Sequence, residues 1–299
     1  DLYDFIHDCE KHSLADVINK YDAESKITLE SYIAFLIENE FAFTTNTPGL
    51  FPQVNHDFIV AEEINNAILD FSNDTIYDIE KAIAELEQLG CKSIQLRFFN
   101  NPSFDFLTKL VRLFDNTSFN TIEFLLSQSF EITKANLESL ITQEKRVSTI
   151  YLFNSDKNEV IDYSSNVMKK IFFLTQAISG PDDCGCISPT YFVPSVSHIA
   201  ESRSYNNCLN KIIAIDSSGL IKNCPSMKES YGHINNTTPK TVIQLKQFHR
   251  LWAISKDNVA VCKDCEFRYI CSDCRAFTVS DEYSKPKKCN YDPYIGKWL

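Results

Sequence analysis

The first 180 residues of this 299-residue chain contain almost no cysteine, only Cys9 and Cys91. A disulfide framework needs thiols throughout a short, core-poor secreted chain, and this distribution does not fit one. No apolar run reaches membrane-spanning length. The longest, KIIAI and KKIFFLTQAI, are strand-sized, so no membrane partner is expected. No signal peptide is visible, and the sequence opens on Asp1 rather than Met, which leaves a longer native N-terminus open. Arginine is missing from residues 1–55, where ten Asp or Glu face three Lys. With a net charge of −11, the chain lacks the basic surface that phosphate contacts need, which argues against a nucleic-acid partner. Also missing are a P-loop, a dinucleotide fingerprint and a G-x-S-x-G elbow.

What is present is the composition of a globular protein, 44% apolar and 23% charged, with length for one large domain or two to three ordinary ones. Residues 1–60 read as a winged-helix-like module. SLADVINKY carries Ser13 as N-cap with Leu14, Val17, Ile18 and Tyr21 on one face, and TLESYIAFLIENE repeats that design from Thr28. FAFTT and LFPQV follow as two short strands joined by NTPG, the expected wing. Residues 61–180 then alternate. NNAILDFS, KSIQLRFF, TIEFLLS, STIYLF and KKIFFLTQ read as strands, and YDIEKAIAELEQLG, SFDFLTKLVRLFDN and TKANLESLITQEKR as amphipathic helices. Such a series predicts an α/β fold of parallel strands with crossover helices, an open sheet or part of a barrel.

The remaining nine of the eleven cysteines run from Cys184 to Cys289, in a loop-rich last third that holds four of the seven glycines. That localisation points to a reduced compartment, taken as cytoplasmic, and to an inorganic site. The spacing is Cys208-x10-Gly219-x4-Cys224, then Cys262-x2-Cys265-x5-Cys271-x2-Cys274, then Cys289. KIIAID and LIKNC flank the turn SSG, predicting a hairpin that carries Cys224. Thiolates grouped in this way ligate either zinc, as four-thiolate tetrahedra, or iron–sulfur clusters, and spacing alone leaves both open. Residues 261–289 hold six Lys or Arg against five acids, a balance suited to an anionic group. Trp252, Phe267, Tyr269, Phe277 and Tyr283 are available to wall such a group from water, or are ordinary core.

The pattern C-x10-G-x4-C, a gap, C-x2-C-x5-C-x2-C and a last Cys resembles the SPASM domain, the C-terminal extension of many radical S-adenosylmethionine peptide maturases. Cys271 and Cys274 stand two residues apart where that family usually has three. The resemblance implies two [4Fe–4S] clusters. One would be held by Cys262, Cys265, Cys271 and Cys289. The other would be held by Cys208, Cys224, Cys274 and an upstream thiol from DDCGCISP, Cys184 or Cys186. Cys184 is preferred because CG-x-I resembles the stretch leading into such domains. Cys9, Cys91 and Cys186 are left as small buried hydrophobes.

Radical chemistry on S-adenosylmethionine requires a Cys-x3-Cys-x2-Cys loop, and this chain has none; NDTIYDIEK follows the first barrel strand. Residues 61–180 therefore resemble a degenerate partial (β/α) barrel, and residues 181–299 a SPASM domain. His198 and Glu201 in SHIAES share a helix face, read as a capped surface turn rather than a catalytic pair. NNCLNKIIAIDSSGLIKNCPSMKESYGHI, CKDCEFRYICSDCRAF and CNYDPYIGKW resemble the SPASM-domain maturases of grasp-with-spasm systems. That likeness implies a ribosomal-peptide (RiPP) precursor and an ATP-grasp ligase as partners. It also implies that the wing recognises the precursor's leader by strand addition at FAFTT, with Phe41 and Phe43 forming its pockets. Two other readings stay open, a zinc-stapled peptide-binding adaptor holding two zinc ions and an enzyme modifying the peptide through an auxiliary cluster.

Overall fold

The computed structural model describes residues 2–9, 12–51, 57–129, 131–163 and 168–299. It forms two compact units, Asp1–Asn55 and His56–Leu299. Among the described residues no helix is long and apolar enough to cross a membrane.

The first unit is helical: α1 (Leu2–Cys9), α2 (Leu14–Asn19) and α3 (Ala23–Glu38). Ser13 caps α2 as expected, its hydroxyl accepting from the Asp16 N–H at 3.2 Å. The next helix starts earlier than Thr28, because the Asp22 carboxylate accepts from Ser25 N–H at 2.8 Å and so supplies the cap. Phe5, Val17 and Leu29 form its small core, with Leu14, Ile33 and Leu36 packed around them. The wing is a correction. Phe41–Thr45 form no strand; of the second expected strand, LFPQV, Leu50 closes a 3-10 turn, Pro48–Leu50, and Pro52–Val54 lie outside the described residues. The physical reason is local. Phe41 and Ala42 N–H groups both donate back to Leu36 O, closing the helix end and turning the chain away from an extended path.

The second unit is mixed α/β around one eight-stranded, mostly parallel sheet. In chain order it contains β1 (Asn66–Phe71), α4 (Ile79–Glu87), β2 (Ser93–Phe98), α5 (Phe104–Arg112), β3 (Thr121–Ser127), α6 (Lys134–Gln143) and β4 (Val147–Phe153). Then come β5 (Glu159–Asp162), β6 (Lys170–Phe173), α7 (Val196–Ser204), β7 (Ile212–Ile215), β8 (Ile221–Lys222), α8 (Pro239–Val242), and a separate hairpin of β9 (Tyr291–Asp292) and β10 (Lys297–Trp298). The sheet order is β5-β6-β4-β3-β2-β1-β7-β8. The inner strands are parallel, while β5 and β8 pair antiparallel at the two ends. The strand β5 escapes sequence reading because it alternates only between half-buried and exposed positions, the mark of an edge strand. The β7–β8 hairpin has the expected turn, with Gly219 at φ +79°. Its first strand joins β1 in parallel, so residues on both sides of position 180 share one sheet.

Side-chain alternation sorts the sheet into two faces. Leu69, Leu96, Phe124 and Leu152 pack into one core with Ile83 of α4, Leu110 of α5 and Leu140 of α6. The three crossover helices therefore cover a single face. The opposite face carries Asp70, Arg97, Gln95, Glu123 and Tyr151, and Gln95 Nε2 donates to Glu123 Oε2 at 3.2 Å.

Two measurements check this arrangement. Phe98, stacked on Phe71 at 4.4 Å and buried, should cost about 3–5 kcal/mol when changed to alanine, read from urea unfolding. Burial raises the Glu123 carboxyl above its ordinary value, against the pull of the Gln95 hydrogen bond. The unfolded chain thus loses this proton first as pH rises, and the stability supplied by the neutral form drains away as pH climbs through the folded value. Glu123→Gln should accordingly be more stable than the parent at neutral pH, with the gap closing toward pH about 4; a constant gap would refute the assignment.

Candidate metal centre

The last third is built of turns, and its side chains hold those turns together. Asn206 and Asn207 clasp the Cys271–Cys274 knuckle. Asn206 Nδ2 donates to Asp273 Oδ2 at 2.7 Å, Asn207 Oδ1 accepts from the Asp273 N–H at 3.1 Å, and Asn207 Nδ2 reaches Cys271 O at 3.2 Å. Asn206 Oδ1 also accepts from the Cys208 N–H at 3.1 Å. Asn223 Nδ2 donates to Leu209 O and Ile212 O, tying the chain before Cys224 to the chain after Cys208. Ser226 Oγ donates to Pro181 O at 2.7 Å, and Lys288 Nζ donates to Asp182 O and Cys184 O, which brings the DDCGC loop to this region.

The C-terminal knuckle starts in a 3-10 turn, Cys262–Asp264, entered through Val261 at φ +69°. A β-branched residue rarely takes that left-handed conformation, so the turn is imposed by its surroundings. Cys265 N–H donates to Cys262 O and Cys271 N–H to Phe267 O. Cys289 precedes Tyr291, whose ring packs on Phe267 at 5.1 Å and Trp298 at 5.0 Å, while Tyr291 Oη donates to Glu266. Leu209, Leu251, Ile254 and Val259 form a small core that includes Cys262, and Cys224 packs against it.

All eleven cysteines are free thiols, and eight of the nine in the last third act on one another electrostatically. Burial pushes the Cys208 thiol well up, and Cys224, Cys184 and Cys274 push it further. Burial raises Cys224 to about 11, with Cys184 and Cys274 adding and the Ser226 N–H opposing. Burial also raises Cys274, against backbone N–H groups of Phe277 and Ala276, and Cys184 again adds. Burial likewise takes Cys262 and Cys271 to about 12 and raises Cys265, and Cys289 adds to all three. Burial thus favours the protonated thiol at these positions, and any metal bound by them would have to displace those protons.

Cys184 thus lies in electrostatic reach of Cys208, Cys224 and Cys274, and Cys289 in reach of Cys262, Cys265 and Cys271. Among the described residues no three His, Cys, Asp or Glu side chains form a ready site for a single ion. The surroundings offer a bound anionic group an unpartnered donor, a bare stretch of backbone and a buried cation. Arg275 is buried, and its Nε finds no partner among the protein atoms although the guanidinium lies in electrostatic reach of Cys262. Gly185, at φ +83°, presents a bare backbone to Cys274, where a Cβ would stand 2.8 Å from Sγ. Lys256, nearly inaccessible, donates Nζ to Cys271 O.

Other expected residues are placed differently. Cys91 is fully buried in the sheet core, its Sγ donating to Ser93 O at 3.3 Å, and Cys9 is half-buried in the first unit. Cys186, expected to be buried, is exposed, because it lies in a loop that packs no core around it. Cys184 is exposed as well, and of the two it is the one that acts on Cys208, Cys224 and Cys274. His198 Nε2 and Asn207 Nδ2 lie 2.7 Å apart in a hydrogen bond, and Glu201 accepts from Asn210 at 2.9 Å, so both brace α7 and its neighbours. Tyr283 is largely exposed and walls nothing, while Phe277 lies under Lys288 Nζ at 4.1 Å. Phe41 and Phe43 are 70% and 66% exposed. Phe43 borders an apolar groove of about 540 Å³ inside the first unit, lined also by Phe5, Ile33, Leu36, Ile37 and Pro48. Sequence reading misses Asn206, Asn207, Asn223 and Lys256; the only signal is the Asn beside each of Cys208 and Cys224.

No family model, curated protein or solved structure matches the chain.

Replacing Gly185 with alanine should force Cys274 and the Cys184 loop apart. In the metal-free protein, Cys274 should then alkylate several-fold faster than in the parent, read by mass spectrometry after iodoacetamide. An unchanged rate would mean the close approach is absent.

Proposed function

We propose that this chain is an iron–sulfur protein of ribosomal-peptide maturation. Its second unit would hold two [4Fe–4S] clusters, and it would recognise a precursor peptide for an ATP-grasp ligase. The observation that supports this reading is that Cys184 lies in electrostatic reach of Cys208, Cys224 and Cys274, and Cys289 of Cys262, Cys265 and Cys271, as the two clusters implied by the SPASM resemblance would require. The one-faced parallel sheet agrees with a degenerate partial (β/α) barrel, whose open face carries polar side chains beside the thiols. The lack of a Cys-x3-Cys-x2-Cys loop leaves this chain unable to cleave S-adenosylmethionine.

When bound, the clusters supply one-electron chemistry, or a Lewis-acid contact if an iron is left open. The chain's own residues do the rest. Lys256 and Arg275 place positive charge beside Cys271 and Cys262, and Arg97 places it beside Cys184 and Cys224. The Phe267, Tyr291 and Trp298 rings pack edge-on and tilted against one another, with Phe267 in the segment between Cys265 and Cys271. In the first unit no wing strand is available among the described residues for strand addition. Apolar side chains of the precursor would instead enter the groove beside Phe43 and Ile37, a helix-in-groove contact rather than a main-chain one.

Anaerobic purification with iron, acid-labile sulfide and zinc counted per chain tests the reading. About eight irons and eight sulfides are expected from eight thiolates, and Cys265→Ser with Cys289→Ser should remove about half. Colourless protein holding about two zincs would overturn it and leave a zinc-stapled adaptor. Phe43→Ser should weaken binding of precursor-derived peptides by about tenfold while leaving the iron content alone.

A further inference from the structure

We propose that Arg97 and Asp70 are a charge pair that sets the reduction potential of the cluster assigned to Cys184, Cys208, Cys224 and Cys274. The inference rests on the iron–sulfur reading above and adds a role for two residues outside the cysteine-rich segment. Asp70 and Arg97 are register partners at the ends of β1 and β2. Arg97 Nε meets Asp70 Oδ1 at 2.6 Å and Nη2 meets Oδ2 at 2.7 Å, and both side chains are almost inaccessible to water. They project from the face that the crossover helices leave uncovered, and Tyr77 Oη donates to Asp70 O at 3.2 Å.

The sheet order carries the pair to the thiols. On the other side of β1, Leu69 pairs with Ile215 of β7, so Asp216 follows at the level of Asp70. Asp216 binds Lys222 of β8 at 2.8 Å, and Cys224 lies two residues beyond Lys222. Four charges thus cross four adjacent strands in the order plus, minus, minus, plus. Of the pair, the guanidinium is the member in electrostatic reach of Cys184 and Cys224.

A buried ion pair adds little net stability compared with packed apolar side chains, so its presence here calls for another account. Fixed charge close to cluster thiolates supplies one, because reduction adds an electron that a nearby cation favours and a nearby anion opposes. In the wild-type chain the Asp70 carboxylate at 2.6 Å offsets part of the guanidinium charge, and each single change shifts the local charge in a known direction.

The test is an EPR-monitored redox titration of the anaerobically purified full chain, with iron counted in every sample. Arg97→Gln should move one of the two titrating signals to lower potential, about tenfold in the reduced-to-oxidised ratio, or about 59 mV for a one-electron couple. Asp70→Asn should move the same signal upward, the double variant should return near the parent, and Arg97→Lys should recover most of the shift. If Arg97→Gln does not fold, the upward shift in Asp70→Asn decides the matter alone. Full iron with unmoved potentials in the folded variants would overturn this inference and leave the function standing. Protein without iron would overturn the function itself, and this inference with it.

Discussion

The architecture of the cysteine-rich region depends on one carboxylate without access to water. An aspartate in a short turn is ordinarily solvated, yet Asp273 is 0% exposed and bonded through both of its oxygens. Arg275 Nη2 donates to it at 2.6 Å, Asn206 Nδ2 at 2.7 Å, and its own N–H is taken by Asn207. An unpaired charge in that position would be strongly destabilising, so the neighbours are obligatory rather than decorative. Because Asp273 stands between Cys271 and Cys274, fixing it holds the short stretch of backbone that carries both thiols. It also pins the Asn206–Asn207 turn, and with it Cys208, to the opposite end of the segment.

The sheet contributes a different kind of order. Hydrophobic burial on the helix-covered face fixes the register of β1 to β4, and register then decides which polar residues share the open face. Asp70 and Arg97 become neighbours only because β1 and β2 are parallel and in register. A one-residue slip would send both into the apolar core. Packing on one side of the sheet thus sets chemistry on the other, at no contact with it.

Much of this is readable from residues alone. TIEFLLS is a strand over its whole length because each second residue is apolar, and the helices fall where the 3.6-residue pattern places them. The cysteine spacing is legible in the sequence too, while the burial that raises Cys208 and Cys262 is not, since it depends on segments distant along the chain. FAFTT misleads because it alternates like a strand while its first two backbone N–H groups close the preceding helix instead, a choice that periodicity does not register. The joining of β7 to β1 is also hidden, since pairing across about 145 residues leaves no local trace. Arg97 and Asp70 belong to no motif in the sequence, and only the pairing of β1 with β2 sets them side by side.

That same strand order has a bearing on how the chain acquires its shape. β1 lies in the interior of the sheet, yet one of its edges stays open until residues 212–215 are available. During synthesis β1 to β4 and their helices can assemble from neighbours in sequence, while the other edge of β1 exposes unpaired N–H and C=O groups for more than a hundred residues of elongation. The cysteine-rich segment is therefore also the piece that seals the sheet. A chain cut near residue 180 would present an apolar-backed edge to other chains, and assembly of the thiol region and completion of the sheet become a single late event in folding.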